Sequence, residues 1–547
     1  MTQEQQSDTT SAQHQDAYLL SPDAVQEPPT AFFNILKQVG PGLILTASIV
    51  GTGELIATTN LGAKAGFSLL WLVLLSCFIK VFIQIELGRF SISAGETTLG
   101  SFLKVPVIGN RLCWLWLIMM LLTQFQIGAM IGGIGGVLHK GIPQFAYFIQ
   151  NAIGYLSKTA VDWFFAGNVT EGMGANLTTL SATAIDYLRE ERLDGSPGHP
   201  EIPWAIFITA FTIYLLVRGR YHVVERYSTI LVGLFTLTTV ACVAMLPGAD
   251  STAIHRREQA VNATTMVGLS ASPSQGALLA ASAHGAEETN EKPTSSLLLA
   301  AFAMIGITGV GASELVSYPY WCLEKRYARY TGPRDESSGW AQRALGWMKV
   351  MQTDAWLSMV VYTLATIAFF VLGAAVLFPQ TEGRGLSEAG ANTMLDELSI
   401  MYQPVLGKTG SLWFIIIGGF VVLYSTLFAA TAGNSRVTTD FMRVQKLIPF
   451  QPEEYRIHWI RAFSRFFPFL GLVLFLFVGK PVLMVTIGGV AQAIMLPILA
   501  AIAIYLRLVH TDKRLVKIGI WDVFLWASLL MFTVAAVYGV CSQLGLL

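Results

Sequence analysis

The sequence predicts an all-α integral membrane protein of about eleven spans, built as two five-span halves of opposite orientation with one helix added. Three observations lead there. Hydrophobic residues make up 53% of the chain and charged residues only 13%, with a mean hydropathy of +0.55, far from a soluble globular average. Apolar runs of bilayer-spanning length, roughly 20 residues each, recur from end to end. Two nearly identical pentapeptides, "GTGEL" at Gly51 to Leu55 and "GASEL" at Gly311 to Leu315, interrupt two of these runs with small residues and a glutamate.

The charge balance narrows the function classes. Lysine and arginine number 35 and aspartate and glutamate 35, and no basic run of the kind that binds nucleic acid is present. Cys77, Cys113, Cys242, Cys322 and Cys541 stand singly in or beside apolar runs, giving neither a disulfide framework nor a metal cluster. No HExxH, GxSxG or GxxxxGK pattern points to an enzyme, and no cofactor is expected. Residues 1–36 are rich in Gln, Ser, Asp and Thr and carry no signal-peptide pattern, so a disordered cytoplasmic tail is expected.

The spans fall near residues 38–61, 66–90, 111–138, 202–218, 225–247, 294–321, 350–378, 410–433, 459–478, 481–507 and 520–545. Between the third and fourth, residues 140–201 form an insert whose patch "FAYFIQNAIGYL" suits an amphipathic helix outside the membrane rather than a span. Residues 250–293 form a second outer loop. Alternate loops are basic, among them those with Arg218, Arg220 and Arg226, with Lys325, Arg326, Arg329 and Arg334, and with Arg507, Lys513, Arg514 and Lys517. By the positive-inside rule the amino terminus is then cytoplasmic and the carboxyl terminus outside.

The twin pentapeptides fall in spans one and six. An offset of five spans, an odd number, inverts the second copy, which divides the chain into residues 37–249 and 294–507 with residues 508–547 as an appended eleventh span. Inverted repeats with paired helix breaks are the architecture of secondary transporters. Each glycine weakens a helix by about 1 kcal/mol relative to alanine, so both spans should break mid-membrane. Breaks in lipid persist only where the freed backbone faces protein or a cavity, which makes them the expected binding site.

Glu54 and Glu314 sit just past the breaks, in the first turn of each second half-helix. Two readings apply: pure capping against the positive helix end, or cation or proton handling by a costly intramembrane carboxylate. Carboxylates at both ends disfavour an anionic substrate there. Lys80, mid-way along span two, needs a partner if charged, and Glu54 is a candidate. The run Gly128, Gly132, Gly133, Gly135 and Gly136 in span three reads as close helix packing.

Longer stretches carry a family resemblance. "GPGLILTASIVGTGELIATTNLGAKAGFSLLWLVLLS" from Gly40 resembles the first two spans of the Nramp divalent metal transporters, and "AFAMIGITGVGASELVS" from Ala301 resembles their sixth. "LLVRGRYHVVERY" between spans four and five and "LPILAAIAIYL" in span ten extend the similarity. The resemblance implies a LeuT-type fold of the APC superfamily, a substrate ion between the unwound parts of spans one and six, and commonly proton coupling.

The site signatures depart from the family. Its DPGN motif falls on Gly51, Thr52, Gly53 and Glu54, and its MPHN motif on Val310, Gly311, Ala312 and Ser313, so the aspartate, the thioether and the histidine are all missing. The glutamine before the family's Leu-Pro pair is matched by Met495, with Gln492 one turn earlier, and the acidic residues of span three by Gln124 and Gln126. Carried over position by position, the candidate metal residues are Gly51, Thr52, Glu54, Val310, Ser313, Glu314 and Met495. Candidate pathway or coupling residues are Lys80, Gln124, Gln126, Asp354 and Gln492. An oxygen-rich set suits hard cations such as Mg²⁺ or Mn²⁺ over soft ones.

Three functions are compatible with these residues. The first is a secondary transporter moving a divalent cation of the Mg²⁺/Mn²⁺/Fe²⁺ class by alternating access, with protons as a possible second partner. The second is a LeuT-fold carrier of a small organic solute, and the third a membrane sensor that kept the fold without transport. The partners expected are the metal ion as substrate, protons and the lipid bilayer, with no nucleic acid.

Overall fold

The computed structural model describes residues 20, 22–165, 182–186, 188, 199–218, 221–246 and 293–543. It is all-helical. Among the described residues eight helical segments are long and apolar enough to cross a membrane, and three more complete eleven spans. Span one is Pro41–Ile49 continued by Thr52–Thr58 and Thr59–Ala65; spans two and three are Leu70–Ala94 and Gly109–Gly141. Spans four and five are Ile202–Val217 and Tyr221–Met245. Span six is Pro293–Ile307 and Ala312–Glu324, and span seven Ser338–Leu372. Spans eight to eleven are Gln403–Val444, Glu453–Val478, Pro481–Tyr505 and Ile520–Gln543.

Both pentapeptides break their helices. In span one the helix stops at Ile49, and Gly51 takes an irregular conformation (φ −154°, ψ −120°) before the chain winds on as a wide turn. A Cβ at Gly51 would lie 2.0 Å from Thr426 Oγ1 of span eight, so only glycine fits. In span six the helix stops at Ile307; Gly309 is left-handed (φ 66°), a conformation that glycine adopts without a Cβ penalty, and the helix restarts after Gly311.

Asp354 of span seven is held at a helix start. It accepts hydrogen bonds from the Gly40 and Gly42 amides and from Tyr318 Oη, and so caps the start of span one. The stretch Gly-Pro-Gly is matched to this cap, because Pro41 has no amide to satisfy and a Cβ at Gly42 would meet the Asp354 carboxylate at 2.8 Å.

The span-three glycines pack closely as expected. Gly128 and Gly132 face Gly471 and Phe475 of span nine, and Gly135 faces Glu201 and Ala205 at the start of span four. Spans six and ten meet through Gly306 and Gly489. A buried ion network joins spans two, ten and eleven: Glu86 takes Arg89 (3.1 Å) and Arg507 (3.0 Å), and Arg507 also holds Asp522 (2.7 Å).

Two segments extend the sequence reading. Within residues 1–36, the described part from residue 22 onward is packed, since Gln26 donates to the Tyr330 carbonyl (3.0 Å) and accepts from Trp347 Nε1 (3.0 Å). A short helix, Phe32–Gln38, follows. The expected tail therefore docks at its end, because the Trp347 indole of span seven reaches a carbonyl within it. In the 140–201 insert, Gln144–Phe165 is a helix with Tyr147, Phe148 and Tyr155 exposed.

Candidate functional site

The twin glutamates do different things. Glu54 is fully buried, and its Oε1 accepts from the Gly309 amide (3.0 Å) and from Thr366 Oγ1 of span seven (3.1 Å). Lys80 Nζ donates to the neighbouring Thr308 carbonyl (2.7 Å). Together they pair two successive backbone groups that the break in span six leaves without helical partners, where an unpaired group would cost several kcal/mol. Thr58 and Thr308 add a hydroxyl contact at 3.0 Å between the two broken spans.

Glu314 faces open space instead. A cavity of about 30 Å³ lies between the breaks, lined by Thr52 and Gly53 of span one, Ser313 and Glu314 of span six, and Gln492 of span ten, among others. Ser313 Oγ lies 2.8 Å from Glu314 Oε2 and 3.0 Å from Gln492 Oε1, its single proton serving one of them. The Ser313 amide also donates to Gln492 Oε1 (3.0 Å), and Gln492 Nε2 donates to Gln126 Oε1 of span three (3.0 Å). One carboxylate, several amides and hydroxyls, and the thioether of Met130 thus converge on one small space. No histidine or cysteine lines it, and among the described residues no group of three or more His, Cys, Asp or Glu could hold a metal.

Two further spaces lie between the cavity and one side of the molecule. A neck shares Ser48, Ser313, Glu314, Ala430 and Asn434 with it, and shares Ile44 and Trp321 with a vestibule of about 600 Å³ at the ends of spans four, six, eight and nine. The basic loops lie on that side. Two cavities elsewhere, one beside His139 and Asp396 and one beside Glu382 and Arg384, share no lining residue with it.

No protein-family model and no curated protein sequence matches the chain. Solved structures do. A histidine-to-alanine mutant of the Eremococcus coleocola manganese transporter superposes with a TM-score of 0.57 at 13% identity, over 96% of this chain and 91% of that one. The same transporter in complex with an aromatic bis-isothiourea substituted compound gives 0.55 at 14% identity over the same shares. The chain has the LeuT-type fold. At such identities the likeness is one of fold.

Within this LeuT-type frame, the predicted candidates separate. Thr52, Ser313, Glu314, Gln126 and Gln492 line the cavity. Gly51, Glu54, Val310 and Met495 do not: Gly51 packs on Thr426, Glu54 is turned to the break of span six, and Val310 and Met495 are buried in the apolar core. Met495 lies three residues beyond Gln492 on the same helix, so the two side chains leave it about 60° apart and only Gln492 reaches the cavity. Lys80 and Asp354 bind backbone, and Gln124 turns back to the Met120 carbonyl (2.9 Å).

Sequence reasoning missed Met130, Asn434, Thr123 and Thr426 on the cavity wall. Asn434 carried little signal, since it stands beside Ser435 and Arg436 in a polar stretch of span eight. Met130 carried none, since one more methionine in an apolar run reads as core.

Proposed function

We propose that the chain is a secondary transporter that binds a small divalent cation of the Mg²⁺, Mn²⁺ and Fe²⁺ class at Glu314 and releases it through the vestibule by alternating access. The observation that carries this reading is the size and chemistry of the cavity between the breaks. At about 30 Å³ it has room for one ion with a water, at about 10–15 Å³ per water, and its wall is mostly oxygen. Drug-sized organic solutes need several hundred Å³, which this space does not offer. Glu314, Ser313, Gln126, Gln492 and Thr52 are the proposed ligands, with Glu54 and Lys80 holding the break that presents them.

Proton coupling, implied by the family resemblance, would use Glu314 as the one carboxylate in the cavity. The test is uptake into proteoliposomes with a pH reporter inside. Wild-type protein should accumulate Mn²⁺ and acidify the lumen, and Glu314→Gln should lose uptake while keeping its melting temperature. Uptake that survives Glu314→Gln would refute the assignment, and thermal stabilisation by organic solutes but by no metal would favour the organic-solute carrier.

A further inference from the structure

The vestibule is wrong for a bare cation exit. Arg218, Lys325, Arg326, Arg436, Arg456 and Arg461 line its volume of about 600 Å³ against a single carboxylate, Glu324. That carboxylate is already engaged, by Arg436 Nε at 2.9 Å and Arg456 Nη2 at 3.0 Å. Arg436 is further fixed over the Trp321 ring at 4.7 Å. Lys325 lies towards the Asp354 carboxylate behind Gly40, while Arg326 and Arg461 form no salt bridge among the described residues. A concave low-dielectric wall of one sign focuses potential and concentrates the opposite charge.

The positive-inside tendency accounts for basic loops, but not for this convergence. Arg436, Arg456 and Arg461 belong to helices, not loops, and they meet Arg218 of the first repeat and Lys325 and Arg326 of the second around one cavity.

We infer that the vestibule is a binding site for a phosphate-bearing anion, either the headgroup of an acidic phospholipid or a free phosphorylated solute. Guanidinium forks match phosphate oxygens in pairs, and the volume suits a ligand larger than a single inorganic ion. Arg218 ends span four, Lys325 and Arg326 end span six, and Arg461 lies near the start of span nine. A ligand held among them therefore ties span six to spans four and nine. It binds only while the vestibule is open, so it favours that arrangement by its differential affinity and also screens the positive wall from a departing cation.

Thermal unfolding of the full chain in neutral detergent tests this. Sodium pyrophosphate is the soluble probe, and phosphatidylglycerol, against an equal amount of phosphatidylcholine, is the lipid probe. At least one anionic probe should raise Tm above a sodium chloride control of equal ionic strength. A shift with pyrophosphate assigns the soluble source, and a shift with phosphatidylglycerol alone assigns the headgroup. Arg326→Gln and Arg461→Gln, both at exposed side chains, should each weaken the apparent affinity, and together by about tenfold or more. Lys408→Gln, away from the vestibule, should leave it unchanged. The inference is overturned if neither probe exceeds the salt control, or if the shift persists undiminished in both arginine variants.

Discussion

At the scale of single residues, two glutamates in the same sequence setting diverge because their partners differ. Glu54 needs only an acceptor oxygen to hold Gly309 and Thr366, and a glutamine supplies one. Glu54→Gln should therefore fold and keep metal binding, whereas Glu54→Ala should lose about 1–3 kcal/mol as the buried Gly309 amide goes unpaired, read by thermal unfolding in detergent. Glu314 should behave the opposite way, with Glu314→Gln near wild type in stability and defective in metal-induced stabilisation. The repeated pentapeptide made the break legible but not this division of labour, because Gly309 and Thr366 stand 255 and 312 residues from Glu54 in sequence. Met130 sets another test. As the one sulfur on the cavity wall, its replacement by leucine should weaken Cd²⁺ competition against Mn²⁺ uptake while sparing Mn²⁺ itself; an unchanged Cd²⁺ effect would remove it from the ligand set.

At the scale of elements, the composition and span lengths made the helices legible, and glycine made the two breaks legible. What the sequence withheld was how helix ends are tied down. Asp354 stands among the candidate pathway residues in the sequence; its part as a cap depends on two amides more than 310 residues away. Asp354→Ala should leave those amides unpaired and lower Tm, and Gly51→Ala should do the same by driving a methyl into Thr426, each costing about 1–3 kcal/mol. The loop after span ten offers a pH test. Hydrogen bonds from Arg514, with Arg334 at 2.9 Å, hold the Asp512 carboxyl down to about 2 from the usual 3.8. A depressed pKa contributes stability above the unfolded value and loses it as pH falls from there through about 2. Asp512→Asn should flatten that acid limb of the Tm profile, because it removes the titrating group that joins this loop to the one after span six.

At the scale of the whole molecule, the alternation of basic loops predicts a testable orientation. Impermeant thiol reagents on single-cysteine variants in intact cells should label the 140–201 insert from outside and leave Lys325 to Arg334 protected; the reverse pattern would overturn the topology. The small volume between the breaks carries a consequence for speed. An ion entering about 30 Å³ must shed nearly all of its hydration shell, and Mg²⁺ gives up water far more reluctantly than larger divalent ions. Selectivity measured by binding and selectivity measured by flux should then disagree: Mg²⁺ should equilibrate with the site, yet its turnover should lag behind that of Mn²⁺ at saturating concentrations of each. Such a protein would sort metals by how quickly they undress as well as by how tightly they are held.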